Sequence, residues 1–216
     1  AAARILAEGG ARVAVTYYSN AAGVEDTVRA VEAAGGEAIA IKLDHSDEDQ
    51  VVAMVDQVVS RFGKINIVIN NAAMVAGDFI QRDRDIVNMD GDFWDQAMRF
   101  NLKGPMLVCK HVIPHMIRAG YGSIVNTGSG VVFRGDSVRN AYSAAKIGLH
   151  SLTMDIAATY GKQNIRCNLV SPGLVMTKAV RVGCSEELVE KLGAENLVPF
   201  IGEPDDIAHV TIFIAS

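Results

Sequence analysis

Two residues four positions apart, Tyr142 and Lys146, stand in the sequence Tyr-Ser-Ala-Ala-Lys. On a helix this spacing places both side chains on one face, with Cβ atoms about 6 Å apart. An ammonium group beside a phenol stabilises the phenolate and lowers a pKa that is ordinarily ~10. A tyrosine of this kind can act as a general acid or base near neutral pH. An exposed helix pair is the alternative interpretation, because so short a pattern also arises by chance.

A serine, Ser129, lies thirteen positions before Tyr142, between two glycines at the end of an apolar stretch. A hydroxyl in that place can donate to a carbonyl oxygen and stabilise the charge that develops on it. Ser129 alone also fits a turn residue. The three residues together are a much rarer coincidence than the pair, and they predict an acid–base site.

Apolar runs alternate with helical stretches along the chain. Strands are predicted at 11–16, 37–43, 65–69, 123–126 and 165–170, and the main helices at 22–34, 48–62, 91–119 and 140–161. Such alternation predicts right-handed βαβ units and one parallel sheet with helices on both faces, an α/β fold. Ligands of such sheets bind beyond the carboxyl ends of the strands. At 216 residues we expect a single domain over 1–216.

The composition is that of a globular chain, with 50% hydrophobic residues and a formal net charge of −5. This balance argues against nucleic acid or an anionic membrane as the partner. No apolar run approaches the ~18–20 residues of a membrane span. His111 and His115 lie four apart, but Pro114 intrudes and no glutamate completes a zinc motif, so no metal site is predicted. Three scattered cysteines fit a reducing, cytoplasmic environment.

Five signatures together resemble the short-chain dehydrogenase/reductase family. They are Tyr142-x-x-x-Lys146, Ser129 upstream of it, Asn70-Asn71-Ala72 after a strand, Asn101 in Asn-Leu-Lys-Gly, and Pro172-Gly173 with Thr177. The resemblance covers essentially all of the chain, in the family's order and spacing. It implies a Rossmann-like, doubly wound parallel sheet. It also implies an oxidoreductase that transfers a hydride between NAD(P)(H) and a secondary alcohol or ketone.

The resemblance implies four catalytic residues. Tyr142 would be the general acid/base, and Lys146 would lower its pKa and hold the hydroxyls of the nicotinamide ribose. Ser129 would orient the substrate oxygen. Asn101 would anchor a water of the proton relay through the backbone of its helix, although a helix kink alone would also account for it.

Cofactor contacts are implied after four strands. Asp44 and His45 would meet the adenine, whereas Asn71, Ala72 and Ala73 would line the adenosine ribose. Pro172, Gly173, Val175 and Thr177 would hold the nicotinamide carboxamide. Taken singly, Asp44 also fits a helix N-cap and Pro172 a strand exit. Ala73 stands where the family usually has glycine.

The residues at the end of the strand 11–16 indicate whether the chain prefers NAD or NADP. NAD-preferring members usually place an acidic residue there, but this chain has Tyr17, followed by Ser19 and Asn20. No carboxylate would repel a 2′-phosphate, and Ser19 and Asn20 could donate to one. NADP is therefore favoured, with NAD as the alternative.

The substrate pocket is expected to be bounded by largely apolar side chains: Met74, Val75, Val131, Phe133, Arg134 and the segment 174–200. Such walls predict a secondary alcohol or ketone on a carbocyclic, steroid-like or acyl skeleton. Arg134 faces either an anionic group of the substrate or solvent. The helices 91–119 and 140–161 are implied to pack against a second subunit, giving a homodimer or homotetramer. Their apolar residues also fit the core of a single subunit, and both can hold for different faces.

The resemblance also implies that the family's first strand and its glycine-rich turn are absent, and we expect a chain incomplete at both ends. A sheet lacking that central strand would have two open edges. Two other functions use parts of the same pattern: a non-catalytic dinucleotide-binding sensor, and an epimerase or dehydratase with the same Tyr-x-x-x-Lys pair.

Overall fold

The computed structural model of the chain describes residues 1–74, 78–194 and 196–216. The predicted pocket residue Val75 lies outside the described residues. Five strands alternate with helices, and together they form a Rossmann-like α/β fold. The strands are β1 (Arg12–Tyr17), β2 (Glu37–Lys42), β3 (Ile67–Asn70), β4 (Gly122–Thr127) and β5 (Ile165–Val170).

Ten α-helices lie in the described ranges. They are α1 (Ala2–Glu8), α2 (Ala21–Ala33), α3 (Glu48–Phe62), α4 (Asp78–Arg82), α5 (Gly91–Met98), α6 (Gly104–Ala119), α7 (Asn140–Tyr160), α8 (Lys178–Gly183), α9 (Glu186–Gly193) and α10 (Pro204–Ala215). A π-helix, Arg99–Lys103, joins α5 to α6, and a short 3₁₀ helix, Gly130–Phe133, follows β4. The helix predicted over 91–119 is therefore three helical segments.

All strand pairings are parallel, but the described strands form two sheets and not the single sheet predicted. β1 pairs with β2, and β4 lies between β3 and β5. Within the described residues, β1, β2, β3 and β5 each have one strand neighbour. The expectation that a missing central strand accounts for two of these edges stays a prediction.

The main core lies between the strands and helices α3 and α6. The sequence of α3 contains signals for both ends of the helix. Asp47 caps its first turn by accepting from Asp49 N and Gln50 N, and Gly63 ends it in the left-handed region. Its buried face consists of Val51, Met54, Val55, Val58 and Phe62, the spacing of one helical side. These residues pack with α6, β4 and β5 in one apolar cluster.

Two further observations concern the described part of the chain. No helix there combines the length and the apolar composition that crossing a membrane requires. Over the same residues, no group of three or more His, Cys, Asp or Glu side chains is arranged to hold a metal ion.

Candidate active site

The loop after β4 holds Ser129 between two backbone anchors. Gly128 N donates to Val170 O and Gly130 N donates to Pro172 O, both at 2.8 Å. A side chain at residue 128 would not fit, because a Cβ there would lie 2.6 Å from both Leu169 and Ser171 side-chain atoms. The exits of β4 and β5 therefore fix Ser129 at the carboxyl end of the three-stranded sheet.

Tyr142 lies in the first turn of α7, and a hydrogen-bonding interaction with the Ser129 side chain lowers the pKa of its phenol. The Ser129 Oγ also accepts from Val131 N at 3.4 Å. The structure thus brings together two residues that the sequence paired only by spacing.

Lys146 lies one turn further along α7 and is 1% exposed. Its Nζ is 5.6 Å from the centroid of the Tyr142 ring and donates to Thr127 O at 2.6 Å. Thr127 is the last residue of β4. Helix α7 therefore presents the phenol and the ammonium on one face, beside the strand that leads to Ser129.

The electrostatics of the pair differ from the sequence expectation. Burial raises the pKa of Tyr142 above its usual 10.0, although the hydrogen bond from Ser129 and the charge of Arg139 act in the opposite direction. Burial lowers the pKa of Lys146 to about 8. The Lys146 ammonium donates to the Thr127 carbonyl, and burial of the phenol outweighs the opposing effects of Ser129 and Arg139, so the lowering of the phenol pKa by Lys146 stays a prediction. At neutral pH Tyr142 is consequently a proton donor.

Asn101 is completely buried in the π-helix between α5 and α6. Its Oδ1 accepts from Met74 N at 3.0 Å, which ties the segment after β3 to this turn. Pro105, four residues on, has no N–H to donate to the Asn101 carbonyl as an α-helix requires. A helix irregularity at Asn101 therefore follows from the sequence, and the carbonyl available there is compatible with the predicted water relay.

Two buried polar atoms of the described residues lack a hydrogen-bond partner: Nδ2 of Asn101 and Oγ of Ser143. Ser143 directly follows Tyr142, and Asn101 lies on the helical segment that contacts α7. An unpaired buried polar atom costs about 1–3 kcal/mol. Both atoms therefore fit a site that pairs them with a bound polar group.

The carboxyl end of β1 opens into a cavity of about 370 Å³. Among the residues that line it are Tyr17, Ser19, Asn20 and Thr27, and the lining contains no acidic side chain. Asn20 caps α2 by accepting from Gly23 N through Oδ1, which leaves its amide nitrogen as the donor. This set of hydroxyl and amide groups at a helix start could hold the adenosine side of a dinucleotide.

Asp44 and His45, both predicted to meet adenine, have structural partners. Asp44 Oδ1 accepts from the backbone N and the Oγ of Ser46. His45 Nε2 lies 2.8 Å from Phe100 O, and its ring packs so closely on Gly104 that a Cβ there would come within 1.9 Å. These residues connect the end of β2 to the π-helix, and their contact with a cofactor stays a prediction.

The residues after β3 divide between core and surface. Asn70 points inward, where its Nδ2 donates to Asn126 Oδ1 at 2.8 Å. Asn71 and Ala72 are exposed, and Ala73 is half-buried. Asn71–Ala73 are therefore the accessible part of this strand end, as cofactor contact requires.

The chain after β5 is anchored beside the site. Gly173 is exposed, with open space where a Cβ would project. Val175 bridges to Gly202, and Met176 N donates to Gly202 O at 2.9 Å. Thr177 caps α8 by accepting from Val180 N. Pro172 meets the Ser129 loop through its carbonyl, so the residues implied to hold nicotinamide adjoin the catalytic group.

The predicted substrate wall is only partly at the surface. Val131 is 5% exposed and belongs to the core, whereas Phe133 is 71% exposed. The Phe133 ring meets His150 edge-on, with centroids 5.4 Å apart, and His150 Nε2 lies 3.4 Å from Ser171 Oγ. Arg134 is exposed. Phe133 and Arg134 are thus the accessible side chains of this loop.

Sequence reasoning did not single out Asp83 as a functional residue. Asp83 is 2% exposed, and its two carboxylate oxygens accept from Ala141 N and Tyr142 N, each at 2.9 Å. The available signal was the residue before α7: Arg139 is not a capping residue, so the cap of this helix had to come from elsewhere.

The chain is similar in sequence to known proteins over most or all of its length. The family model described as "Enoyl-(Acyl carrier protein) reductase" matches residues 1–216. A short-chain type dehydrogenase/reductase of Bradyrhizobium diazoefficiens is 35% identical over 171 residues, which are 79% of this chain and 60% of that protein. The cis-4-hydroxycyclohexanecarboxylate dehydrogenase of Sinomonas cyclohexanicum is 33% identical over 216 residues, covering all of this chain and 84% of the relative.

A solved structure agrees with these relatives. The crystal structure of levodione reductase superposes with a TM-score of 0.91 at 29% identity, over 100% of this chain and 84% of that one. The fold, the whole-length family match and the named relatives lead to one conclusion. This chain belongs to the short-chain dehydrogenase/reductase family and is an NAD(P)-dependent oxidoreductase of alcohols and ketones.

Proposed function

We propose that Ser129, Tyr142 and Lys146 are the catalytic residues of this oxidoreductase, with Tyr142 as general acid/base. The observation that supports this most directly is that Lys146 Nζ lies 5.6 Å from the centroid of the Tyr142 ring, while the Ser129 side chain interacts with the same phenol and lowers its pKa. A donor, an acid and a cation then lie at the carboxyl end of a parallel sheet, where such folds bind ligands.

A bound nicotinamide dinucleotide supplies or accepts the hydride. In ketone reduction, Tyr142 gives its phenolic proton to the carbonyl oxygen, and that oxygen becomes the alcohol hydroxyl. Ser129 Oγ donates to the same oxygen and stabilises its developing charge. The Tyr142 phenolate left behind is stabilised by the Lys146 ammonium until a proton from solvent restores it. Alcohol oxidation is the reverse.

The protonation state of Tyr142 suits ketone reduction at neutral pH. Burial keeps the pKa of Tyr142 above its usual value, so the residue carries the proton that reduction needs. Oxidation needs the phenolate and should accelerate as the pH rises.

The proposed cofactor is NADP, with NAD as the alternative. The cavity beyond β1 is lined by Tyr17, Ser19 and Asn20 without a carboxylate, which supports acceptance of a 2′-phosphate. Asn71, Ala72 and Ala73 would line the ribose, and Asp44 and His45 the adenine edge. Pro172, Gly173, Val175 and Thr177 would hold the carboxamide.

The proposed substrate is a secondary alcohol or ketone on a small carbocycle. The exposed Phe133 ring offers an apolar wall. The Sinomonas dehydrogenase, which matches this chain over all 216 residues, is named for a hydroxylated cyclohexane that bears a carboxylate. Arg134, at the same loop, would face that anionic group.

The proposed assembly is a homo-oligomer in the cytoplasm, a dimer or tetramer. An apolar groove of about 500 Å³ lies between α6 and α7 and is lined by side chains such as Ile113, Ile117, Leu152 and Ile156. Ile117, which lines this groove, is 37% exposed. A second copy of the chain would cover this face, and sedimentation equilibrium of the wild type and of Ile117→Lys tests it.

The experiment uses protein produced from its full reading frame. Cyclohexanone and 4-oxocyclohexanecarboxylate are offered with NADPH and NADH in parallel, together with an enoyl thioester to detect reduction of a C=C bond. Net ketone reduction, faster with NADPH, supports the proposal. Epimerised or dehydrated products would support the epimerase or dehydratase alternative, and tight cofactor binding without turnover of any substrate would indicate a sensor.

A further inference from the structure

The first turn of α7 has an unusual beginning. Arg139, the residue before the helix, has a φ of 62°, in the left-handed region that non-glycine residues rarely adopt. Its side chain does not cap the helix, and it bonds to Asp136 through Nε and Nη2. The backbone N–H groups of the first turn, Tyr142 among them, therefore need acceptors from another segment.

Asp83 supplies those acceptors from a distant part of the sequence. Oδ1 accepts from Ala141 N and Oδ2 from Tyr142 N, both at 2.9 Å. These are the N–H groups that the side chain of an N-cap residue normally takes. A carboxylate is also favoured beside the positive end of a helix dipole.

The segment around Asp83 is itself fixed. The Asp83 carbonyl accepts from Arg139 N at 3.0 Å, and Arg84 O accepts from Asn140 Nδ2 at 3.0 Å. One turn earlier, the Phe79 ring lies 4.5 Å from that of Phe93, in a buried cluster that includes Ala141. The carboxylate therefore holds Tyr142 from a rigid support.

We propose that Asp83 is a positioning residue that holds the first turn of α7 and so places Tyr142 for its interaction with Ser129. This inference rests on the proposed role of Tyr142. The Tyr142 main chain is held by Asp83 on one side, while its hydroxyl meets Ser129 on the other, so the first contact fixes the second. Misplacement of a catalytic group by about 1 Å can cost about 10²-fold in rate.

A purely structural cap would behave differently. Loss of such a cap would lower thermal stability, yet the folded fraction would keep its pH profile. Loss of a positioning residue weakens the Ser129–Tyr142 interaction, and that interaction is one of the effects that hold the pKa of Tyr142 down. The pKa should therefore rise, and the alkaline limb of ketone reduction should move to higher pH.

The test compares Asp83→Asn with Asp85→Asn in the full protein. The amide that replaces the Asp83 carboxylate would offer one acceptor where two N–H groups need one each. Asp85 is a matched control in the same loop: its carboxylate caps the N–H groups of Val87 and Asn88, and the hydrogen bonds described for it do not involve α7. Tyr142→Phe is measured alongside, so that failure of the proposed function is recognised separately.

For Asp83→Asn we expect kcat to fall about tenfold or more, a KM for cofactor within about twofold, and an alkaline limb at higher pH. Asp83→Glu, which keeps the charge, should restore part of kcat. If Asp83→Asn does not fold, the same measurements are made on Asp83→Glu instead. Amide hydrogen exchange should become faster in the peptide 140–146 for Asp83→Asn and stay unchanged for Asp85→Asn.

An unchanged kcat and pH limb in folded Asp83→Asn overturn the inference, as does a loss of kcat equal to that of Asp85→Asn. If Tyr142→Phe keeps full activity, the proposed function fails first. Loss of activity in Tyr142→Phe with full activity in Asp83→Asn removes this inference alone.

Discussion

Ser129 and Tyr142 lie on different elements, the exit of β4 and the first turn of α7, and the Ser129 side chain interacts with the Tyr142 phenol. Each is fixed independently of the other. Two backbone bonds to the exit of β5 hold the Ser129 loop, and two bonds to the Asp83 carboxylate hold the start of α7. The Ser129–Tyr142 interaction stabilises the phenolate and so opposes the effect of burial on the Tyr142 pKa.

Ser129→Ala removes that interaction and a donor to the reacting oxygen. We expect kcat for ketone reduction to fall about 10²-fold. The pKa of Tyr142 should rise further, so the alkaline limb of the kcat profile should move to higher pH. Steady-state rates across the alkaline range measure both effects. Ser60→Ala, an exposed serine of α3, is the matched control. A limb that moves to lower pH would contradict the role given to this hydroxyl.

Lys146→Met should abolish turnover and yet stabilise the fold at neutral pH. A lysine pKa of about 8 in the folded chain, against an ordinary 10.5, means that burial of the ammonium destabilises by about 3 kcal/mol below pH 8. The variant also loses the hydrogen bond to Thr127 O, which reduces its expected gain in stability by about 1 kcal/mol. Thermal unfolding should therefore show Tm higher by roughly 4–8 °C.

The Tm difference between Lys146→Met and wild type should depend on pH. Wild-type stability from this lysine should rise between pH 8 and 10.5, as the unfolded chain binds the proton that the folded chain has released. The Tm difference between Lys146→Met and wild type should accordingly shrink over that range. Lys110→Met is the control, since this exposed lysine pairs with Glu48. A lower Tm for Lys146→Met at pH 7 would mean that the ammonium has stronger partners than the structure gives it.

Tyr17→Asp tests the cofactor preference. A carboxylate at the end of β1 would repel a 2′-phosphate, and repulsion of about 1.4 kcal/mol raises the KM for NADPH about tenfold. The KM for NADH should stay the same or fall. Tyr17→Asn, which removes the phenol without adding charge, separates the two effects. Equal changes for both cofactors in Tyr17→Asp would place the 2′-phosphate elsewhere.

The sequence was most informative where interactions are local. A spacing of four on a helix and glycines around Ser129 after an apolar strand predict that Ser129, Tyr142 and Lys146 meet, and they do. The irregularity of the helix at Asn101 could also be predicted from the sequence, because Pro105 removes the N–H that a continuous helix would need.

Burial and long-range contacts were not accessible in the same way. The pKa of Tyr142 depends on how much of the ring the fold covers, and the direction of Lys146 depends on the position of the Thr127 carbonyl. Asp83 meets α7 across 58 residues of sequence, a contact that no local pattern encodes. Val131 was assigned to a pocket wall by its position in the loop, whereas the fold buries it.

Hydride transfer by Tyr142→Phe in a single turnover, with cofactor affinity measured on the same sample, tests the central assignment most directly. We predict a rate at least about 10³-fold below wild type, with a Kd for NADPH within about twofold, because the variant loses only the proton that the ketone oxygen must receive. Transfer at the wild-type rate by this variant would contradict the account.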